Sequence, residues 1–191
     1  MSIIDMHIHI RERSPCSILS LDELYESISP HLDGICITDH GVLKKITYLP
    51  SSSVKTFFGV ELSSREGDIL AYGLNMVPSK DLDAKKIIRY IHHQRGVAIA
   101  AHPFSNRHYA FHDSVFDYEF DALEINGSIP KSSNEKAKMA ANEMDIPLIG
   151  GSDAHSEHQL NSIATKFDNP INSINDIVRA IKERECSPIR L

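Results

Sequence analysis

A chain of 191 residues, 41% hydrophobic and 24% charged, has an ordinary globular composition. It is long enough for one buried core and short for two, so a single domain over 1–191 is expected. The net charge of −6 argues against a general nucleic-acid or anionic-membrane binder, which holds phosphates with excess Lys and Arg. A small phosphorylated substrate stays compatible, because bound divalent cations supply positive charge that a residue count omits.

Along the chain, short apolar runs alternate with helical patterns, the mark of βα units and a largely parallel sheet. Residues 3–8 read as a strand, then Leu21 to Ile28 as a helix with Ser20 as its N-cap. Residues 34–38, 57–62 and 69–74 read as strands, followed by a helix from Leu82 to Gln94 after Asp81 that stops near Gly96. Strands over 97–101, 122–125 and 147–150 flank a helix that begins at the capping box Ser132-Ser133-Asn134-Glu135 and runs to about Met144. Ser173 to Asp176 opens a last helix, ending near Glu185. The three cysteines, Cys16, Cys36 and Cys186, are odd in number and widely spaced. They fit neither a disulfide framework nor a four-thiolate zinc site. With no signal-like segment and no apolar run approaching ~20 residues, a cytoplasmic chain without membrane association is expected.

The chemically capable residues gather at the ends of these strands, where active sites of parallel βα architectures lie. His7-Ile8-His9 sets two imidazoles on one side of a strand, because side chains alternate faces. Asp153-Ala154-His155 repeats the spacing with a carboxylate in place of one imidazole. Imidazole with carboxylate is a ligand set for Zn, Mn or Fe rather than for a thiolate-rich structural zinc site.

The stretches Asp5-Met6-His7-Ile8-His9, Thr38-Asp39-His40, Gly59-Val60-Glu61, Ala101-His102-Pro103-Phe104 and Gly150-Gly151-Ser152-Asp153-Ala154-His155 resemble, in order, the motifs of the polymerase and histidinol phosphatase (PHP) family. The runs 122–127 and 146–149 resemble its small stand-alone phosphoesterases. The resemblance implies an α/β fold, a distorted seven-stranded βα barrel of TIM-like form. It also implies a centre of two or three divalent ions (Zn, Mn or Fe) and phosphoester hydrolysis by a metal-activated water. By position, His7, His9, Glu61 and Asp153 hold one metal. Glu61 bridges to a second, also bound by His102, and His40 and His155 serve a third. Glu61, Asp153 and His155 carry the catalytic role.

Two departures from the family pattern stand out. Ser14, followed by Pro15 and Cys16, occupies the place of an acidic ligand to the third metal, for which Glu12 is a substitute or merely a solvated charge. Asp68, in Gly67-Asp68-Ile69-Leu70, stands where relatives commonly carry histidine, and is read as a second-metal ligand or an edge-of-strand charge. Arg107 is a candidate for holding a phosphate oxygen, with Lys131 and Arg65 as further options that also read as surface charges, and His108 and His112 are candidates for a substrate contact or a general acid. Asp5 and Asp39 either orient ligand imidazoles or make strand-end hydrogen bonds. Cys36 reads as core, and Cys16, without a recognisable base, as a poor nucleophile. His92 and His93 complement a helix C-terminus, whereas His31 and His158 read as loop surface.

The function expected is hydrolysis of a small phosphate monoester, of the nucleotide or sugar phosphate class. The alternatives are a 3′ exonuclease or proofreading module and a metal-stabilised binding domain without turnover.

Overall fold

The structure is a computed structural model of the chain and describes all residues except 51, 80–82 and 107–108. In chain order its elements are β1 (Ser2–Ile8), α1 (Leu21–Ser27), β2 (Gly34–Ile37), β3 (Lys55–Phe58), β4 (Val60–Ser63), β5 (Asp68–Tyr72), α2 (Ala84–His93) and β6 (Val97–Ala100). There follow β7 (Ala122–Asn126), α3 (Lys131–Met144), β8 (Leu148–Gly151), β9 (Ile163–Phe167), α4 (Ile174–Lys182) and β10 (Cys186–Arg190).

The strands form two five-stranded sheets, ordered β10-β9-β1-β2-β3 and β4-β5-β6-β7-β8. This mixed α/β arrangement, with four α-helices among the described residues, replaces the closed seven-stranded βα barrel expected from the sequence. The largely parallel sheet is also corrected. The pairs β1–β2, β2–β3, β6–β7 and β7–β8 are parallel, whereas β1–β9, β9–β10, β4–β5 and β5–β6 are antiparallel. Two causes are local. The run read as one strand over 57–62 breaks at Gly59 and changes sheet, and β4 turns straight back into β5 through Ser64–Gly67, whose backbone closes with Ser64 N donating to Gly67 O at 3.0 Å.

Helix boundaries follow their caps. Ser20 with Glu23, and Ser173 with Asp176, form reciprocal capping boxes that start α1 and α4. Asp83 caps α2 by accepting from Lys86 N; the expected cap Asp81 and first residue Leu82 lie outside the described residues. The capping box expected at Ser132 is absent, because α3 begins one residue earlier, after Pro130, and takes Ser132 into its first turn. Ile87, Ile88 and Ile91 of α2 are buried in one apolar cluster with Val60, Ala98 and Leu123, and Ile177 and Ile181 of α4 in another with Ile4, Val97 and Phe167. Leu24 of α1 joins Ile8, Ile10, Ile35 and Ile37 in a third.

The sheets meet along two hydrogen-bonded seams. At one, Gly59 N donates to Ile37 O at 3.1 Å and Glu61 N to Thr38 O at 2.9 Å; at the other, Asp153 N donates to His7 O at 2.8 Å and His9 N to Ala154 O at 3.0 Å. Every motif residue named above on metal-ligand grounds lies at or beside these seams, except Asp68 and His102, which stand at neighbouring ends of β5 and β6.

Candidate metal centre

His7 and His9 face the same side at the end of β1, with their Nε2 atoms 2.9 Å apart. Asp153 Oδ1 lies 3.5 and 3.6 Å from those two nitrogens, and Glu61 Oε2 lies 3.4 and 3.1 Å from them. All four side chains are at most 1% exposed. Four donors around an ion of zinc size, each at about 2.0–2.2 Å, stand about 3.3–3.6 Å from one another. The spacing therefore fits a divalent cation, and without one the site would crowd imidazoles and carboxylates in a dry environment.

Glu61 looks two ways. While Oε2 faces His7 and His9, Oε1 lies 3.2 Å from His102 Nε2, and Asp68 Oδ2 lies 3.9 Å from that nitrogen. Glu61, Asp68 and His102 offer ligand atoms within 4.8 Å of one another, as do His7, His9 and Asp153. A third group with the same spacing joins His9, His40 and His155 to Cys16. The His9 ring stacks with both neighbours, 4.8 Å from the His40 ring and 4.4 Å from that of His155. His40 Nδ1 lies 3.3 Å from Glu61 Oε2.

The backbone carries the cost of this convergence. His102 and Asp153 adopt φ of 32° and 53°, a left-handed conformation that ordinary residues rarely take and that clusters at functional sites. Gly151 makes the close approach possible, since a Cβ there would stand 2.5 Å from His7 Cβ and 2.8 Å from Glu124 Oε1.

Glu124 is the residue that the sequence reading gave no role. Fully buried in β7, it accepts from His7 Nδ1 at 2.8 Å through Oε1, and from His102 N at 2.7 Å and Asn126 Nδ2 at 3.0 Å through Oε2. The bond to Nδ1 leaves His7 Nε2 to face the cluster, as ligand histidines require. Its signal in the sequence is a carboxylate inside an apolar strand, Ala122-Leu123-Glu124-Ile125, which is costly unless partnered. Asp5 acts differently from the imidazole-orienting role considered for it: Oδ1 accepts from the backbone N–H of His7 at 3.1 Å and of Ser152 at 2.9 Å, tying the seam. Burial raises the Asp5 carboxyl to about 6. Asp39 Oδ1 accepts from Ile10 N at 2.9 Å and lies 4.0 Å from His9 Nδ1, while Oδ2 pairs with Arg13 at 3.1 Å.

Charges within the cluster are strongly coupled. Burial opposes ionisation of Glu61, but the charge of His7 and hydrogen bonds from His102, His7 and His9 outweigh it and hold the carboxyl well below its ordinary range. Burial likewise opposes protonation of His7, and Glu124, Asp153 and Glu61 reverse that effect, holding it well above 6.5. Burial raises Asp68, with the Glu61 charge adding to it. Partial burial also raises the Cys16 thiol, which argues against an activated nucleophile.

The remaining candidates divide as follows. Arg107 and His108 lie outside the described residues. Lys131 is exposed at the start of α3, beside a groove lined by Ile125, Pro188 and Arg190 rather than by the ligand clusters. Arg65 is exposed in the turn before Asp68, and His112 is exposed at the start of a 3-10 turn, its ring centroid 6.4 Å from that of Phe104. Glu12 accepts from Leu21 N at 3.1 Å, and Ser14 Oγ from His40 N at 3.3 Å, so both are used in holding the backbone. His92 pairs with Asp121 at 2.9 Å; His31 and His158 are exposed. No described helix is long and apolar enough to cross a membrane.

Comparison with known proteins places this geometry. Residues 131–186, which contain the Asp153–His155 pair, match the profile of the PHP-associated family, PHP_C. An uncharacterized protein of Methanocaldococcus jannaschii is 32% identical over 100 residues, 49% of this chain and 57% of that one, so the match spans little more than half of the relative's length. Three solved structures share the fold across nearly the whole chain. PsfC of Pseudomonas syringae superposes with a TM-score of 0.73 at 17% identity, covering 100% of this chain and 91% of that one. A Bifidobacterium adolescentis protein with the provisional name of metal-dependent phosphoesterase gives 0.66 at 16%, over 95% and 96%. An amidohydrolase of Chromobacterium violaceum, with bound sulfate and no metal, gives 0.68 at 14%, over 98% and 97%. Over residues 131–186 the chain thus resembles the PHP-associated family, and as a whole it shares the fold of these three structures, with its histidine–carboxylate clusters drawn to the sheet seams.

Proposed function

We propose that the chain is a metal-dependent hydrolase acting on small phosphate monoesters of the nucleotide or sugar phosphate class. The observation that carries this reading is the two-sided placement of Glu61, with Oε2 3.1 Å from His9 Nε2 and Oε1 3.2 Å from His102 Nε2. One carboxylate so placed divides its charge between two adjacent cation sites, the arrangement used for in-line displacement at phosphorus. His7, His9, Asp153 and Glu61 would hold the first ion, Glu61, Asp68 and His102 the second, and His40 and His155 would contribute to a third. Bound divalent cations supply Lewis acidity, which makes water a nucleophile near neutral pH and offsets charge on the phosphoryl oxygens.

The protein's own side chains orient and neutralise. Glu124 fixes the tautomer of His7, and Asp5 holds the backbone of both His7 and Ser152. Arg107 and His108, which follow the His102 motif in the sequence, are assigned to substrate phosphate, whereas Lys131 lines a groove away from the ligand clusters. A net charge of −6 favours a compact substrate held by cations over a long polynucleotide held by basic residues. The name of the Bifidobacterium structure supports phosphoester chemistry, whereas that of the Chromobacterium structure makes amide hydrolysis the competing reading.

The test is a panel of nucleoside monophosphates, sugar phosphates, single-stranded oligonucleotides and N-acyl amides, assayed with metal content measured on the same preparation, before and after chelation. Release of phosphate from monoesters that stops on chelation and returns with Zn or Mn is the expected result. Turnover of oligonucleotides or amides alone would reassign the substrate, and bound metal without turnover on any arm would leave a binding domain.

A further inference from the structure

The segment from Ile10 to Leu19 carries Ser14-Pro15-Cys16-Ser17 where the resemblance to the PHP family implies an acidic ligand, and these four residues build a turn. Ser17 N donates to Ser14 O at 3.0 Å, closing a turn with Pro15 and Cys16 at its centre. Proline in the first central position fixes φ and stiffens such a turn. The turn is anchored on both sides. Ser14 Oγ accepts from His40 N at 3.3 Å, and Ser17 Oγ donates to the carbonyls of His9 at 3.0 Å and His155 at 3.1 Å. Ile18 N and Leu19 N also donate to the His155 carbonyl, at 2.9 and 3.1 Å. Cys16 is thus tied to the same backbone that carries all three histidines.

Two observations on those histidines point to a ligand. His155 Nδ1 lies 3.0 Å from the carbonyl oxygen of Asp153; a carbonyl only accepts, so Nδ1 carries the proton and the lone pair stands on Nε2. Cys16, His40 and His155 also offer ligand atoms that lie within 4.8 Å of one another and of one on His9.

We propose that Cys16 is a metal ligand, supplying a thiolate to the third site of this chain together with His40 and His155. The inference rests on the proposed metal centre and adds a chemical character to one part of it. Sulfur and imidazole select zinc or another borderline-soft ion and disfavour Mg and Mn, while the carboxylate-rich second group of Glu61 and Asp68 accepts harder ions. The thiol loses its proton to solvent as the ion binds. Because Cys16 is exposed, the site is open to thiol reagents when empty and protected when filled.

The experiment strips the full-length protein with chelator and reloads it with Co(II), comparing the parent with Cys16→Ser and Cys16→Asp. The parent should show a near-ultraviolet sulfur-to-cobalt charge-transfer band. Cys16→Ser should lose the band and one equivalent of tightly bound metal, and Cys16→Asp should recover the metal without the band. Zinc should remove the fast phase of thiol titration in the parent. A parent that binds metal with no band and an unprotected fast thiol, or a Cys16→Ser variant that keeps the band, overturns the assignment and leaves the remaining centre intact. A parent that takes up no metal overturns both it and the proposed function.

Discussion

Replacing Glu124 by glutamine keeps its shape and removes one acceptor, and the surroundings leave the amide no good orientation. Oε1 faces the Nδ1 proton of His7 at 2.8 Å, and Oε2 faces the His102 N–H at 2.7 Å and the Asn126 amide at 3.0 Å. Asn126 cannot turn to accept, because its Oδ1 already receives Ser128 N at 2.8 Å. If the new amide group points at His102 and Asn126, donors meet donors in a buried site. If it points at His7, that ring must accept at Nδ1 and move its proton to Nε2, the atom 2.9 Å from His9 Nε2. The lone pair offered to a cation is then lost. A hydrogen bond to a charged group contributes about 1.5–3 kcal/mol, and at 1.36 kcal/mol per decade the expected loss is roughly 10- to 100-fold in metal affinity, the range seen when partners of ligand histidines are removed. Competition titration of Glu124→Gln against a chromophoric zinc chelator measures it, with thermal unfolding of the metal-free protein as a check on folding. A folded variant that binds zinc within a factor of about two of the parent would refute the orienting role.

Other perturbations probe separate parts of the structure. Asp68→Asn should raise the metal concentration needed for half-maximal activity while excess Mn or Zn restores the plateau by mass action, and Asp68→His should need less metal than Asp68→Asn; superimposable curves would remove Asp68 from the site. Gly151→Ala places a methyl 2.5 Å from His7 Cβ and 2.9 Å from His7 N, so a loss of about 1–3 kcal/mol is expected in denaturant unfolding, together with weakened zinc binding. Unchanged values for both would show that β8 has room to spare. The hydrogen bond to Asp121 raises His92 above 6.5, against the effects of partial burial and Lys182 and with a small contribution from Glu119. A raised imidazole stabilises the fold below its unfolded value and loses that effect as pH rises through the folded one. The stability gap between the parent and His92→Gln should therefore be present below pH 6.5 and close above it; a gap independent of pH would assign the pair to packing.

Much of the site was legible in the sequence because its donors come as short motifs at strand ends. The spacing of His7 and His9 follows directly from the two-residue period of a strand, and Asp153–His155 repeats it across the seam. The architecture was less legible, for identifiable reasons. Gly59 interrupts an apolar run without any turn signature; its need for glycine is tertiary, since a Cβ would stand 2.6 Å from the Tyr72 ring. The strand β10 contains Pro188, which argues against an interior strand but is tolerated at the sheet edge that β10 occupies. With β9 and β10 unrecognised, the antiparallel flank of the first sheet was invisible. Glu124 is illegible locally, because a single charge in an apolar strand has no neighbour in sequence to reveal its partner. Cys16 has no base beside it in the sequence, and its neighbours His40 and His155 are distant along the chain.

The donors are drawn from both sheets: His7 lies in, and His9 and His40 follow, strands of the first, while Glu61 and Asp68 lie in, and His102, Asp153 and His155 follow, strands of the second. Ions held between them would act as rivets across a joint that backbone hydrogen bonds and the shared apolar cluster of Ile4, Phe167, Leu70 and Val97 already close. Occupancy at a thousand times the dissociation constant adds about 4 kcal/mol to folding, a large share of the ~5–15 kcal/mol that holds a typical domain together. The lifetime of such a protein against proteases would then be set by the supply of its ions as well as by its core, and scarcity of metal would remove the folded chain along with the proposed activity.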